Sequence, residues 1–300
     1  MKWITLLIIP LFVAAGALIY HYNNQAENSP ITSIPVDIKP LAEVPAAVRK
    51  TVVHKPIVIS KPAVTSTTAI QEQPPNFAAI TNTKTKKTTF FEYMLPMIRG
   101  TNKVIVADRA IVVPLHAKLV EGQTLSIDEQ SKLTPLFEKY NIEIDGELTL
   151  GDFDELLLRC DIVPEALVLA QSANESAWGT SRFATKGNNF FGLWCFSRGC
   201  GLTPLQRNEG AKHEVAKFDT VNHGVRRYVH TINTNNAYKQ LRNVRAKLRT
   251  DNESITGSIL AEGLLRYSER GKAYVEEIQS MIRFNKLQRY TLDTKIHAPR

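Results

Sequence analysis

Hydrophobic positions recur at helical spacing through the last two thirds of the chain, from about residue 90 to residue 293, with no internal repeat. Ser126 stands three residues before Glu129, which is a capping-box signal for the start of a helix. Thr149 similarly opens a segment in which Phe153 and Leu156 lie on one helical face. The pattern therefore predicts one predominantly helical domain.

The first part of this domain, residues 89–122, is less regular. The pattern predicts an extended or helical lead, followed by a helix that is interrupted near Pro114, because a proline within a helix removes a backbone donor.

The most apolar helix is predicted between Pro164, a residue favoured in the first turn, and Gly179, a residue favoured at a helix end. Residues 166–170 are all apolar, so this helix should be buried on every side. Its polar and indole side chains come late and share one face of the last two turns: Gln171, Asn174, Glu175 and Trp178. The pattern indicates a helix that runs out of the core into a cleft.

The carboxyl group of Glu175 is the candidate chemistry of this helix. An acid that leaves an apolar helix beside the ring of Trp178 is poorly solvated as an anion, and desolvation raises its pKa. A carboxyl that stays protonated near neutral pH can protonate a glycosidic oxygen. The alternative is a surface glutamate that pairs with Arg182.

The next segment, GNNFFGLWCF, is rich in amides and aromatic rings. The amides of Asn188 and Asn189 suit the hydroxyl and acetamido groups of sugars, and Phe191 and Trp194 offer flat faces for pyranose rings. We expect about half of the aromatic residues, including Phe190, to pack inside instead. The segment predicts a saccharide cleft.

The N-terminal third has a different composition. Residues 1–22 contain an apolar stretch that predicts either a signal peptide or an uncleaved membrane anchor. Residues 23–88 are rich in proline and predict a disordered linker. The folded domain is then expected over 89–293, with a tail at 294–300. We expect a location in the cell envelope: periplasmic, secreted, or anchored to the inner membrane if the segment is uncleaved.

The chain of 300 residues has a formal net charge of +8, which favours polyanionic surroundings. Export argues against nucleic acid, and the sequence contains no RNA-binding motif, phosphate loop or zinc-finger spacing. We therefore expect neither a nucleic-acid partner nor a cofactor.

Cys195 and Cys200 lie close together in LWCFSRGCG and predict a local disulfide in an oxidising compartment. No metal site is expected, because the nearest imidazoles, His213 and His223, match no ligand spacing. Cys160 follows an apolar helical segment and predicts a buried free thiol.

The segment ANESAWGTSRFATKGNNFFGLW resembles the ALESGWG...FA...GNNLFG signature of the bacterial exported glucosaminidases, glycoside hydrolase family 73. The resemblance to one branch of that family extends through LWCFSRGCG, HEVAKFDTV, NTNNAYKQLR and YSERGKAYVEEIQSMIRFN, and covers roughly residues 89–290. It implies an α+β, predominantly helical, lysozyme-like domain with a small β-hairpin lobe. It also implies that the protein binds peptidoglycan and cleaves the β-1,4 bond after N-acetylglucosamine.

Carried onto this sequence, the resemblance makes Glu175 the general acid. The family's second carboxylate lies on the hairpin lobe, where Glu209 in RNEGAK is the favoured candidate and Glu214 in HEVAKF is the other. An inverting mechanism would place the partner roughly 6.5–9.5 Å from the acid. Tyr267 in LLRYSERG matches the family's tyrosine, and would bond the acetamido group or the acid, or pack beneath the cleft.

Two alternatives to a hydrolase remain open from the sequence. A lytic transglycosylase would need Glu175 alone, because the 6-hydroxyl of the sugar attacks in place of water. A non-catalytic envelope protein would use the same cleft only to bind glycan.

Overall fold

The computed structural model of the protein describes residues 73–205 and 213–292. The predicted N-terminal segment at 1–22, most of the predicted linker, residues 206–212 and the predicted tail lie outside these ranges. The described residues are mostly helical and include a three-stranded antiparallel sheet. The predicted class, α+β and predominantly helical with a small β lobe, is confirmed.

The described residues form a succession of helices with one sheet in the middle of the chain. The helices are α1 (Thr83–Val120), α2 (Ile127–Lys139), α3 (Leu150–Arg159), α4 (Glu165–Glu175), α5 (Arg182–Gly187), α6 (Val221–Thr234), α7 (Lys239–Thr250), α8 (Gly257–Leu260) and α9 (Lys272–Phe284). The strands are β1 (Trp194–Cys195), β2 (Gly201–Leu202) and β3 (Glu214–Ala216). Short 3-10 helices lie at Phe77–Ala79, Asn236–Tyr238, Ala261–Leu264 and Leu287–Tyr290.

Helix α1 is one continuous helix of 38 residues that contains both Pro96 and Pro114. Of the two predicted forms of the lead, the helical one is confirmed, and the predicted interruption near Pro114 was wrong. Val112 and Leu115, on either side of this proline, are buried in the core. Their packing against the core keeps the helix continuous although Pro114 cannot donate a backbone hydrogen bond.

Helix α1 also begins earlier than the sequence predicted. The side chain of Asn82 caps it by accepting a hydrogen bond from the amide of Thr85. The ring of Phe77 is already buried in the core. Residues 77–88, assigned to the linker from their composition, therefore belong to the folded domain.

Two local signals predicted helix starts correctly. Ser126 and Glu129 form a reciprocal capping box in front of α2. Thr149 and Asp152 form another in front of α3. Each box satisfies backbone donors of the first turn within four residues of chain, which is why it can be predicted locally.

Helix α4 lies at the centre of the domain, as its apolar run predicted. Residues 165–173 are buried, and the helix packs against α1, α8, α9 and the 3-10 helix at Leu287–Tyr290. This central position carries the end of α4 to the candidate site.

The end of α4 differs from the prediction. The helix stops at Glu175 rather than at Gly179, because Ala177, Trp178 and Gly179 take left-handed backbone angles, with φ of 49°, 59° and 79°. A Cβ at Gly179 would lie 2.3 Å from the ring of Phe77, so glycine is required there. Trp178 consequently leaves the helical face that carries Glu175.

The sheet has the order β1-β3-β2, with Trp194 opposite Val215 and Gly201 opposite Ala216. Strands β2 and β3 correspond to the predicted hairpin lobe, and β1 adds a strand on the other side of β3. A Cβ at Gly201 would lie 2.0 Å from the carbonyl oxygen of Val215, so the close approach of these strands depends on glycine.

In the part of the chain that the structure describes, no helix combines the length and the apolar character needed to span a bilayer. The apolar stretch near the N-terminus lies outside that part.

Candidate active site

Glu175 lies at the last residue of α4 and is partly exposed. Its Oε1 accepts a hydrogen bond of 2.8 Å from the hydroxyl of Tyr274, on α9. Burial raises the pKa of the Glu175 carboxyl to about 7, although hydrogen bonds from Tyr274 and Asn174 act in the opposite direction. The acid is therefore substantially protonated near neutral pH.

Two charged residues near the acid have opposing effects on its pKa. Glu277 raises the pKa of Glu175 and Arg270 lowers it. Arg270 and Glu277 form an ion pair with each other, with an N–O distance of 2.5 Å and side chains 50% and 38% exposed. The effect of Glu277 exceeds that of Arg270, and burial is the largest influence on the pKa of the acid.

A chain of buried hydrogen bonds lies behind Glu175. The hydroxyl of Tyr228 donates to Oε1 of Gln171, and Nε2 of Gln171 donates to the hydroxyl oxygen of Tyr274 over 2.9 Å. Gln171 was predicted to bind substrate from its helical face. It is fully buried, so it has no surface on which a sugar could rest.

The loop that follows α5 is held by an internal amide. The side chain of Asn189 donates to the carbonyls of Leu193 and Ala216, and accepts from the amides of Phe191 and Leu193. These four bonds use both ends of the amide, which is 1% exposed. Asn189, predicted to bind substrate, thus ties the GNNFFG loop to β3.

Gly192 in this loop lies beside the acid. Its φ is 64°, and a Cβ there would lie 3.8 Å from Oε2 of Glu175. The loop therefore lies beside the carboxyl oxygen that Tyr274 does not bond, and it has no side chain at this position.

Asn188 occupies the left-handed position that ends α5, with φ of 51°. Its amide donates to the carbonyls of Phe218 and Asp219 over 2.9 and 3.1 Å. Asn174 is partly exposed next to the acid. Among the amides predicted to bind substrate, Asn174 is therefore the one placed at the exposed side of the acid.

The predicted aromatic platforms have different surroundings. Phe191 is 2% exposed and stacks on Tyr228 with ring centroids 4.1 Å apart. Trp194 is partly exposed and stacks on His213 at 3.9 Å. A sugar face would therefore be available at Trp194 rather than at Phe191. Phe190 is fully buried, as predicted.

Trp178 faces the first helix rather than the acid's helical face. Its ring lies 5.6 Å from that of Phe90 and 5.4 Å from that of Phe91, with Nζ of Lys87 4.8 Å from its centroid. An aromatic residue that does contact the carboxyl of Glu175 is Tyr274, through its hydroxyl.

Tyr267 lies beneath the site. Its hydroxyl donates to the carbonyl of Phe191 over 2.8 Å, and its ring stacks parallel to that of Tyr274 at 5.4 Å. Tyr267 thus supports the loop and the tyrosine that holds the acid, without itself bonding the carboxyl.

The two candidates for a second carboxylate are placed differently. Glu209 lies in 206–212, outside the described residues. Glu214 is 8% exposed, and its two oxygens accept hydrogen bonds from the amides of Gly199 and Gly201 over 3.1 and 2.8 Å. Glu214 therefore holds the turn between β1 and β2.

This turn also contains the predicted cysteine pair. The sulfur atoms of Cys195 and Cys200 are at bonding distance, with Cα atoms 6.1 Å apart. Atoms of the two cysteines and of Glu214 lie within 4.8 Å of one another. This donor set does not suit a metal, since the sulfurs bind each other and the carboxylate binds backbone amides. Cys160 is a buried free thiol, as predicted.

Tyr274 is the site residue that sequence reasoning missed. With Ile278 and Ile282 it forms an apolar stripe of α9, which was interpreted as core. The ring is indeed 2% exposed. A buried tyrosine hydroxyl needs a hydrogen-bond partner, and that requirement was the available signal.

Comparison with known proteins identifies the family. The family described as mannosyl-glycoprotein endo-beta-N-acetylglucosaminidase matches residues 152–287. Protein bax of Escherichia coli (strain K12) is 31% identical over 200 residues, which are 67% of this chain and 70% of that protein. No solved structure matches the chain. The matched residues include the whole candidate site, and the chain belongs to the Bax-like branch of the bacterial glucosaminidase family, as a glycosidase-type enzyme.

Proposed function

We propose that the protein is a peptidoglycan hydrolase, an endo-β-N-acetylglucosaminidase that cleaves the β-1,4 bond between N-acetylglucosamine and N-acetylmuramic acid. The observation that carries the proposal is the carboxyl of Glu175, whose pKa is about 7 and whose Oε1 is held by Tyr274. Such a carboxyl group carries a proton near neutral pH and has a fixed orientation, and general acid catalysis requires both.

In the proposed reaction, Glu175 protonates the glycosidic oxygen as the bond to the sugar breaks and positive charge develops on the ring. The carboxylate that remains is stabilised by the hydroxyl of Tyr274 and the positive charge of Arg270. Release of product and uptake of a proton from solvent then restore the acid.

A water molecule would attack the sugar from the opposite face, activated by a second carboxylate. Glu209 remains our proposal for this base. The position of Glu214 supports it indirectly, because Glu214 is engaged by Gly199 and Gly201 within the lobe.

The proposed substrate lies in the cell envelope, and we propose the same location for the enzyme. The N-terminal residues 1–22 would direct the chain out of the cytoplasm, and would hold it at the inner membrane if they are not cleaved. The linker would then give the catalytic domain reach toward the wall.

The test is digestion of purified peptidoglycan, with identification of the new chain ends by mass spectrometry. We expect reducing N-acetylglucosamine ends from the protein and a loss of release in Glu175→Gln. Glu276→Gln, a change at an exposed position of α9, is the matched control and should retain full release.

Lytic transglycosylase chemistry is the second candidate, because it requires a single acid. Glu175 is already held by Tyr274, whereas the carboxylate of Glu214 binds backbone amides of the sheet. That reaction leaves 1,6-anhydro-muramic ends. If Glu209→Gln kept wild-type activity and the products carried anhydro ends, the protein would be a lytic transglycosylase rather than a hydrolase. If the wild-type protein also released no glycan, the result would indicate a glycan-binding protein.

A further inference from the structure

The buried chain of hydrogen bonds behind Glu175 has a direction. Tyr228 is fully buried, and among the described residues its hydroxyl bonds only Gln171. The hydroxyl therefore donates to Oε1 of the amide. If the amide were turned around, the O–H of Tyr228 would be buried without an acceptor, which is unfavourable.

The orientation of the Gln171 amide fixes the next bond. With Oε1 toward Tyr228, Nε2 points to Tyr274 and donates to its hydroxyl oxygen over 2.9 Å. The hydroxyl of Tyr274 then directs its own proton to Oε1 of Glu175, 2.8 Å away. Burial and the nearby Glu175 raise the pKa of Tyr274 well above its usual value, so this hydroxyl stays a donor.

We infer that Gln171 is a positioning residue for the acid: acting through Tyr274, it keeps Oε1 of Glu175 as an acceptor and so places the acid's proton on Oε2. Oε2 is the oxygen beside Gly192, where the loop brings no side chain. The proton is thereby presented away from the buried tyrosines, toward the side from which a glycosidic oxygen can approach.

This inference rests on the proposed function for its catalytic consequence. Without Gln171, the hydroxyl of Tyr274 could rotate and accept the proton of Glu175, and the acid would then point its proton inward. The chain of bonds is neutral apart from Glu175, so changing Gln171 alters no charge. A change in the titration of Glu175 would report the hydrogen bonds alone.

Other groups influence Glu175, and replacing Gln171 leaves the identity and the charge of each of them unchanged. Those with electrostatic effects coupled to the acid are Arg270, Glu277, Tyr228, Tyr238, Tyr267 and Tyr274. All of them are present in both the wild type and Gln171→Met, so their charges are the same in the two titrations that are compared.

The first test is the titration of the Glu175 carboxyl, followed by NMR with ¹³C-labelled glutamate in the protein and in Gln171→Met. Methionine keeps the length of the side chain and removes both hydrogen bonds. Because the bond from Tyr274 lowers the pKa of Glu175, we expect a higher pKa in the variant. A titration that coincides with wild type would overturn the inference, whether or not the protein releases glycan.

The control is Gln279→Met on α9. Nε2 of Gln279 donates to the carbonyl of Ser258 over 2.9 Å, in a partly buried bond that does not involve the acid. This variant loses a hydrogen bond of the same kind, and should leave the Glu175 titration and kcat unchanged. An equal effect of both variants would indicate a general structural role and contradict the inference.

The second test uses the rate of glycan release. We expect Gln171→Met to lower kcat roughly tenfold with little change in KM, and to move the alkaline limb of the kcat profile to higher pH. In a Tyr274→Phe background, the same change should lower kcat less than about twofold, since the hydroxyl through which Gln171 acts is gone. Additive effects would contradict the inference.

Failure of this inference is distinguishable from failure of the proposed function. If Glu175→Gln abolishes release while Gln171→Met matches wild type, only the role of Gln171 is lost. If the wild type releases nothing, the proposed function fails and the NMR titration still decides the role of Gln171. Should Gln171→Met fail to fold, Tyr228→Phe tests the same chain and should also raise the pKa of Glu175.

Discussion

Two carboxyl groups at the two ends of α4 are both poorly solvated, and they differ in protonation near neutral pH. Asp161, between α3 and α4, is 2% exposed. Burial raises its pKa, but a bidentate hydrogen bond from Arg249 and the charges of Arg109 and Arg245 outweigh burial and hold the pKa at about 2. Glu175, at the other end of α4, has a neutral tyrosine as its close partner and a pKa of about 7.

The difference shows that burial alone does not identify a proton donor. Burial acts in the same direction on both acids, and the number of cationic partners decides the outcome. Asp161 is surrounded by guanidinium groups and serves the fold. Among the described residues, the arginine that lowers the pKa of Glu175 is Arg270, which is already paired with Glu277, so the acid remains able to give up a proton near neutral pH.

Asp161→Asn should have the largest effect. The change leaves the guanidinium groups of Arg245 and Arg249 buried without their counter-ion, and we expect the free energy of unfolding to fall by about 3–5 kcal/mol. Denaturant unfolding at pH 7 measures it. Asp128→Asn is the control, because its carboxyl is 76% exposed in its pair with Lys132, and it should change little. A loss below about 1 kcal/mol for Asp161→Asn would show that the cluster is not a stabilising centre.

Glu175→Gln should make the protein more stable at alkaline pH. The folded-state pKa of Glu175, about 7, lies above the ordinary value of 4.5. The contribution of Glu175 to stability is therefore fully present below pH 4.5 and is lost as the pH rises through 7. The loss is on the order of 3 kcal/mol, and glutamine does not titrate. We therefore expect the variant to exceed wild type at pH 8 and to match it more closely at pH 4.5, as measured by denaturant unfolding.

The contribution of Asp161 to stability depends on pH in the opposite direction, and the same unfolding measurements can show it. Its folded-state pKa of about 2 lies below the ordinary 3.8, so its contribution is present above pH 3.8 and is lost as the pH falls through 2. If Glu175→Gln gave the same pH profile of stability as wild type between pH 4.5 and 8, the contrast between the two acids would be lost.

The rate of glycan release should fall about tenfold per pH unit above pH 7, because only protonated Glu175 is active. The pH profile of kcat on soluble peptidoglycan fragments measures this limb. Glu276→Gln should leave it in place. A rate that stays constant to pH 9 would exclude Glu175 as the titrating acid.

Glu214→Gln should have the smallest effect. The buried carboxylate accepts backbone bonds from Gly199 and Gly201, and glutamine can accept only one of the two well. We expect a loss of about 1 kcal/mol, measured by thermal unfolding, with glycan release retained. Loss of release at full stability would instead assign a catalytic role to Glu214.

Local features of the fold could be predicted from the sequence. Ser126 and Thr149 each use a partner three residues away, and the apolar run of α4 requires burial whatever surrounds it. The end of α4 could not be predicted in this way, because the left-handed turn at Gly179 closes against Phe77, far away in the chain.

The site shows the same division. The sequence singled out Glu175 because one polar position in an apolar helix is visible locally. The role of Gln171 was not visible, since its partners Tyr228 and Tyr274 are 57 and 103 residues away. Polar residues on one helical face were all assigned to substrate, whereas the structure divides them between the cleft and the core.

The position of Glu175 as the final residue of α4 has an electrostatic consequence of its own. The peptide dipoles of a helix add to give partial negative charge at its C-terminus, which disfavours an anion there by about 0.3–1 kcal/mol. Glu129 and Asp152 occupy the opposite, positive ends of α2 and α3, where a carboxylate is favoured. By stopping the helix at the acid, the left-handed turn lets the backbone itself help to keep Glu175 protonated.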